Sequence, residues 1–368
     1  YATGSYNTFV GQDAGLGGQT SAPYSSGQYN TAIGYNALAG FTTATRVVAL
    51  GYNAGASLTT GGESVFIGYN AGDAIIDGYR NIAIGDNALS EDAGDDNVAI
   101  GTYALKDLSG ASVNIGIGTR AGETITTGTR NIAIGWRTMW DLNAGSNSAD
   151  SEDNIALGYA AMNGTWADAQ SNQNIAIGSY AMDGALNGAL RNVGIGYEVF
   201  TNLTSADDNV AIGYRALQQL TTGDDNVAIG VSAGASLTTG NLNVMVGYQA
   251  GYASTAIRNT FMGYRAGRYS NANFNTFYGH ASGQGSSGNS TGQYNTGLGP
   301  NTLQNFTTGY SNVTVGYNAG NAITTGYTNV AVGYGSLNAN TTADRNTAVG
   351  YDSLGANTTG ATNAAFGW

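Results

Sequence analysis

The chain has 368 residues, 58 of them glycine and only 2 proline, with no cysteine and a formal net charge of −12. The glycines do not recur at every third position, which excludes collagen, and a hydrophobic content of 42% placed at fixed intervals excludes a disordered polar chain. With 12 Lys and Arg against 24 Asp and Glu there is no basic stripe, so neither a nucleic-acid partner nor an anionic membrane surface is expected. No run of about 18 apolar residues is present, so no membrane insertion is expected either. A cysteine-free chain fits an extracellular setting, and with Tyr1 first, any targeting segment is expected to have been removed or to lie outside this sequence.

A phrase of the type Asn-Val-Ala-Ile-Gly recurs 21 times, from residues 7–11 to residues 363–367, and its glycines usually stand 17 residues apart, as at Gly34, Gly51, Gly68 and Gly85. A fixed period of that length predicts one coil of a stacked solenoid per copy. The expected fold is therefore all-β: a parallel β-solenoid of about 21 coils, continuous over residues 1–368 and uncapped at both ends. Uncapped ends predict end-to-end assembly or further sequence beyond them. Each coil has contour enough for two short strands and two corners.

Counting from the asparagine as position 0, only Val47 and Ser64 replace it. Position +1 is Val, Ile or Thr in 20 copies, and position +3 is always large, as in Ile33, Ile84, Ile100, Ile134, Ile212, Ile229 and Val332. Alternate strand residues share a face, so these predict a strand with +1 and +3 turned into a core. Position +2 then faces outward. It is Ala in 12 copies, including Ala32, Ala83, Ala99, Ala133, Ala211, Ala228 and Ala331, and Gly in three. A column so small predicts close packing against another copy of the chain. Its interruptions at Phe9, Phe66, Met245, Phe261, Phe277 and Thr314 would mark places where that interface opens.

Position +4 is Gly in all 21 copies, as a positive φ or close stacking of coils would require. Tyrosine follows it in 11 copies, which predicts a stacked ring ladder. Apolar residues at +11, such as Phe41, Leu58 and Ile75, supply a second wall, and Thr-Thr-Gly often follows as a corner. Longer intervals place extra residues at 17–24, 141–153, 165–173 and 284–291, where surface loops suited to specificity are expected.

Little in the chain points to catalysis. His280 is the only histidine, and without cysteine it leaves no metal cluster and no nucleophile–base triad, so no enzyme activity and no cofactor is expected. The pairs Asp95–Asp96, Asp207–Asp208 and Asp224–Asp225 are expected to be exposed acidic turns rather than calcium ligands. Sequons at Asn163, Asn202, Asn289, Asn305, Asn312, Asn340 and Asn357 are candidate glycosylation sites in a secreted chain.

Residues 97–101, 209–213 and 226–230, each Asn-Val-Ala-Ile-Gly, resemble the head repeat of trimeric autotransporter adhesins, and similar repeats occur in phage tail fibres. The resemblance spans almost the whole chain. It implies a left-handed β-roll assembled as a homotrimer, with a sticky or structural outer surface. The expected role is thus an extracellular fibre at a cell surface, in a filament or on a virion, structural or adhesive and without catalysis. Two alternatives are a tail-fibre receptor-binding protein that engages surface glycans through the longer loops, and an ice-binding solenoid using its threonine arrays.

Overall fold

A computed structural model describes residues 3–18, 25–141, 150–286 and 290–368. The chain forms two compact units, Tyr1–Leu190 and Arg191–Trp368. The first holds ten strands, from β1 (Thr8–Val10) and β2 (Thr31–Ile33) to β10 (Ile175–Ile177). The second holds eleven, from β11 (Val193–Ile195) to β21 (Ala364–Phe366). Each strand has three residues and coincides with positions +1 to +3 of one repeat. Within each unit every strand pairs in parallel and in register with the next, for example Val210 with Val227, Ala211 with Ala228 and Ile212 with Ile229. Each unit is thus a parallel β-solenoid. Among the described residues a coil contributes one strand rather than the two expected, and the rest of its path is a succession of turns.

The two faces of that strand are the reverse of the sequence expectation. Ala32, Ala83, Ala99, Ala133, Ala211, Ala228 and Ala331 are fully buried inside their own units. The residues taken as core point outward: Ile84, Ile100, Ile134, Ile212 and Val332 are only partly buried, and Ile33 and Ile229 are 43% and 39% exposed. Space explains the inversion. In the coil opened by Asn97 the interior holds Ala99, Ala104, Leu105, Leu108 and Ala111, which are positions +2, +7, +8, +11 and +14. A core this thin has no room for isoleucine opposite leucine, so volume rather than hydrophobicity decides which face turns in.

The interruptions of the alanine column follow the same rule and mark no opening. Phe66, Met245, Phe261, Phe277 and Thr314 are fully buried, and Phe9 is partly so. Every one of the six is matched by glycine at +8 of its own coil: Gly15, Gly72, Gly251, Gly267, Gly283 and Gly320. A Cβ at Gly267 would lie 2.5 Å from the Phe261 ring, and one at Gly55, in the preceding coil, 2.7 Å from Phe66. Where +2 is alanine, +8 is commonly Leu or Met, as in Ala99 with Leu105 or Ala156 with Met162. In most coils one bulky group fills this part of the interior from one side or the other, and where both positions are small, as at Ala228 with Gly234, bulky residues of neighbouring coils (Leu217 and Met245) reach in.

The repeated asparagine ties coil to coil. Asn226 is fully buried. Its Nδ2 donates to the Gly240 carbonyl (2.8 Å), and its Oδ1 accepts from the Asn243 backbone N–H (3.0 Å). The amide therefore satisfies two backbone groups that no strand partner reaches, one late in its own coil and one at the start of the next. The pattern recurs from Asn97 to Asn114 and Asn131 and from Asn295 to Asn312 and Asn329. Ser64 keeps half of it, its Oγ accepting from the Asn81 N–H at 3.0 Å.

The +4 glycines meet both expected requirements. Gly213 has φ of 128°, and a Cβ there would stand 2.7 Å from the Gly230 carbonyl oxygen. Any side chain would both strain the corner and hold the coils apart.

Candidate functional site

Once alanine occupies the interior, the outward strand face becomes the most unusual surface of each unit. Two files of aliphatic side chains run across it, one at +1 (Ile82, Val98, Ile115) and one at +3 (Ile84, Ile100, Ile117), at the spacing of adjacent strands. All of these are partly exposed, and Leu298 reaches 41%. In the second unit a shallow depression of about 320 Å³, lined by Val246, Met262, Gly263, Tyr278 and Gly279, interrupts the face. Beyond the glycine corner stands the tyrosine ladder. Tyr35, Tyr52 and Tyr69 stack at 5.2 and 5.1 Å, and Tyr317, Tyr334 and Tyr351 at 5.2 and 5.0 Å.

A second surface lies on the turn after the corner, where positions +6 and +9 come together. Arg120 (+6) meets Glu123 (+9) of the same coil at 3.2 Å. Arg215 (+6) meets Glu198, at +6 of the preceding coil, at 2.6 Å, and Gln218 (+9) joins them at 3.1 Å. Arginine holds both positions in one coil, as Arg265 and Arg268, and neither forms an ion pair among the described residues. Their guanidinium groups lie over aromatic rings instead. Arg265 is 5.0 Å from the Tyr264 centroid, and Arg268 is 4.8 Å from Tyr269 and 5.6 Å from Tyr252. Sequence reasoning passed over this pair. The available signal was the lack of any Asp or Glu between Asp225 and Asp344.

The other sequence candidates are dispersed. His280 stacks on Tyr264 at 5.0 Å as one more rung of the ladder. Asp96 accepts from Arg80 Nε at 2.6 Å, and Asp208 from Arg191 Nε at 2.6 Å; hydrogen bonding to arginine holds both carboxyls below the usual aspartate range. Asp224 caps the Asp207 N–H at 2.9 Å. No group of three or more His, Cys, Asp or Glu suited to a metal occurs among the described residues. In the Thr-Thr corners the first hydroxyl bonds the next coil, as Thr221 Oγ1 to the Thr238 carbonyl (3.0 Å), while the second threonine is exposed.

Of the sequons, Asn202 and Asn305 are exposed, and Asn163 and Asn357 are half-buried. Asn312 and Asn340 must be withdrawn as glycan sites in this fold, because both are fully buried with Nδ2 donating to the carbonyls of Gly326 (2.9 Å) and Ala343 (3.2 Å). Asn289 lies outside the described residues, as do residues 19–24, 142–149 and 287–288 of the longer intervals. The segment 165–173 is described, and its Trp166 is fully buried, so that insertion is anchored in the core. No protein-family model matches the chain, and no curated protein sequence matches it.

Proposed function

We propose that this chain is a non-catalytic structural or adhesive fibre protein acting outside the cell, and that its solenoid units associate as a homotrimer through the aliphatic strand face. The continuous files at +1 and +3 carry this reading. Soluble monomers rarely present ordered apolar surface on that scale to water, and such faces mark association sites. A face repeated at every coil suits a symmetric partner with the same repeat, which a second and third copy supply. The resemblance to adhesin head repeats, which are trimeric, supports the same stoichiometry.

The test separates the two strand faces. Glutamate at Ile84, Ile134 and Ile212 together should reduce the mass measured by sedimentation equilibrium from trimer to monomer while leaving the far-ultraviolet β spectrum intact. Glutamate at Ala99, Ala211 and Ala228 should abolish the β spectrum, since a charge would enter a filled core. A wild-type chain that sediments as a monomer overturns the trimer, and a triple isoleucine variant with unchanged mass overturns the choice of face.

A further inference from the structure

We propose that the turn surface around Arg265 and Arg268 is a binding site for an acidic saccharide, one whose sugar carries a sulfate or carboxylate group. The proposal concerns ligand capture within one chain, goes beyond the scaffold reading, and stands whether or not the chain trimerises.

The argument begins with what the rest of the molecule does at these positions. Of the three other cations at +6, two have a carboxylate beside them, Glu123 for Arg120 and Glu198 for Arg215, while Arg137 lies over the rings of Trp136 and Trp140. Arg265 and Arg268 occupy the pair of positions that brings Arg120 and Glu123 to 3.2 Å, but both members are cations. Two guanidinium groups on one turn without a counter-charge offer a seat for an anion supplied from outside, and their planar donor forks match the oxygens of carboxylate or sulfate. Isolated positive charge in a chain of net −12 is local and uncompensated, because no acidic residue intervenes between Asp225 and Asp344.

Unsatisfied polar atoms point the same way. Nε of Arg265, Nε of Arg268 and Oε1 of Gln249 are buried without a hydrogen-bond partner, and Gln249 is the +6 residue of the preceding coil. Three such atoms at adjoining positions are unusual in a folded protein, where buried polar groups are almost always paired.

The surroundings favour a sugar over a bare ion. Tyr248, Tyr264 and His280 stack along the edge at 5.2 and 5.0 Å, and Tyr248 and Tyr264 are each exposed by about two-fifths. Flat rings beside charged forks offer one surface for the C–H face of a pyranose and another for its acidic substituent. Successive coils repeat at the strand spacing, so an oligosaccharide can lie along several of them.

Isothermal titration of the full chain tests the site. The probes are a heparin-derived tetrasaccharide for sulfate and sialyllactose for carboxylate, with lactose and octathymidylate as neutral and nucleic-acid comparisons. At least one acidic sugar should bind, more weakly as salt rises. Its affinity should fall tenfold or more in Arg265→Gln/Arg268→Gln and hold within threefold in Arg120→Gln. Arg265→Lys/Arg268→Lys should retain intermediate affinity, which guards against a variant that has merely lost its fold. The proposal is overturned if neither acidic sugar binds at millimolar concentration, if lactose or octathymidylate binds as well, or if the double glutamine variant binds like wild type.

Discussion

Asparagine at position 0 is the residue on which the repeat depends. Its amide is buried, and both of its polar atoms engage backbone further along the chain, so removing one strands groups that water cannot reach. Asn226→Ala leaves the Gly240 carbonyl and the Asn243 N–H without their partner. We expect a loss of roughly 2–5 kcal/mol, read as a shift of the urea midpoint. Asn202→Ala, at an exposed turn, should stay within about 0.5 kcal/mol of wild type. The near-invariance of this asparagine is plain in the sequence, but its purpose is not, because the groups it serves lie about 14 and 17 residues downstream.

At the scale of the coil, packing and charge make separate predictions. Phe66 fills the interior because Gly72 and Gly55 leave room for it. Phe66→Ala alone should cost roughly 3–5 kcal/mol for the cavity. Adding Gly72→Leu recreates the arrangement of Ala32 with Leu38, and Leu38 already tolerates φ of 52° at that position. The double variant should therefore recover most of the loss, to within about 2 kcal/mol of wild type by urea unfolding, a coupling that additive effects would not give. Charge acts on the surface between coils, where arginine and aspartate alternate at the residue before the asparagine. Arg80 with Asp96, Arg130 with Asp153 and Arg191 with Asp208 each meet at 2.6 Å. The carboxyls of Asp96, Asp153 and Asp208 are all held below the ordinary value, first by the hydrogen bond from arginine. Their contribution is fully present above the unfolded aspartate value near pH ~4 and is lost as pH falls through it toward the folded values. The thermal midpoint should thus drop between pH 5 and pH 3, and replacing the three arginines with glutamine should shrink that drop. These pairs are exposed, so the effect is small.

Across the whole molecule the period, the parallel pairing and the glycine corners were legible from residue order alone, because each follows from backbone geometry. The inside of the strand was not. Hydrophobicity ranks isoleucine above alanine, whereas the interior is set by the volume a single turn of chain can enclose. The decisive clue lay in paired positions: the six residues that break the alanine and glycine column at +2 each have glycine at +8. The anion seat was hidden for a related reason, since only the Arg120–Glu123 contact reveals that +6 and +9 converge. If the aliphatic face is shared between copies, the thermal midpoint should also rise with protein concentration, because association couples to folding by mass action.

The long asparagine bridges to backbone carbonyls run forward along the chain: Asn209 grips Gly223, Asn226 grips Gly240, and Asn312 grips Gly326. During synthesis each finished rung therefore presents its amide to the segment about to leave the ribosome, while the same amide holds the rung already made, as Asn226 Nδ2 donates to Asn209 Oδ1 at 3.0 Å. At translation speeds of about 5–20 residues per second, a new rung arrives every ~1–3 s and finds its docking partner in place. Such a protein can mature in step with its own elongation, without waiting for a distant piece of chain to complete it.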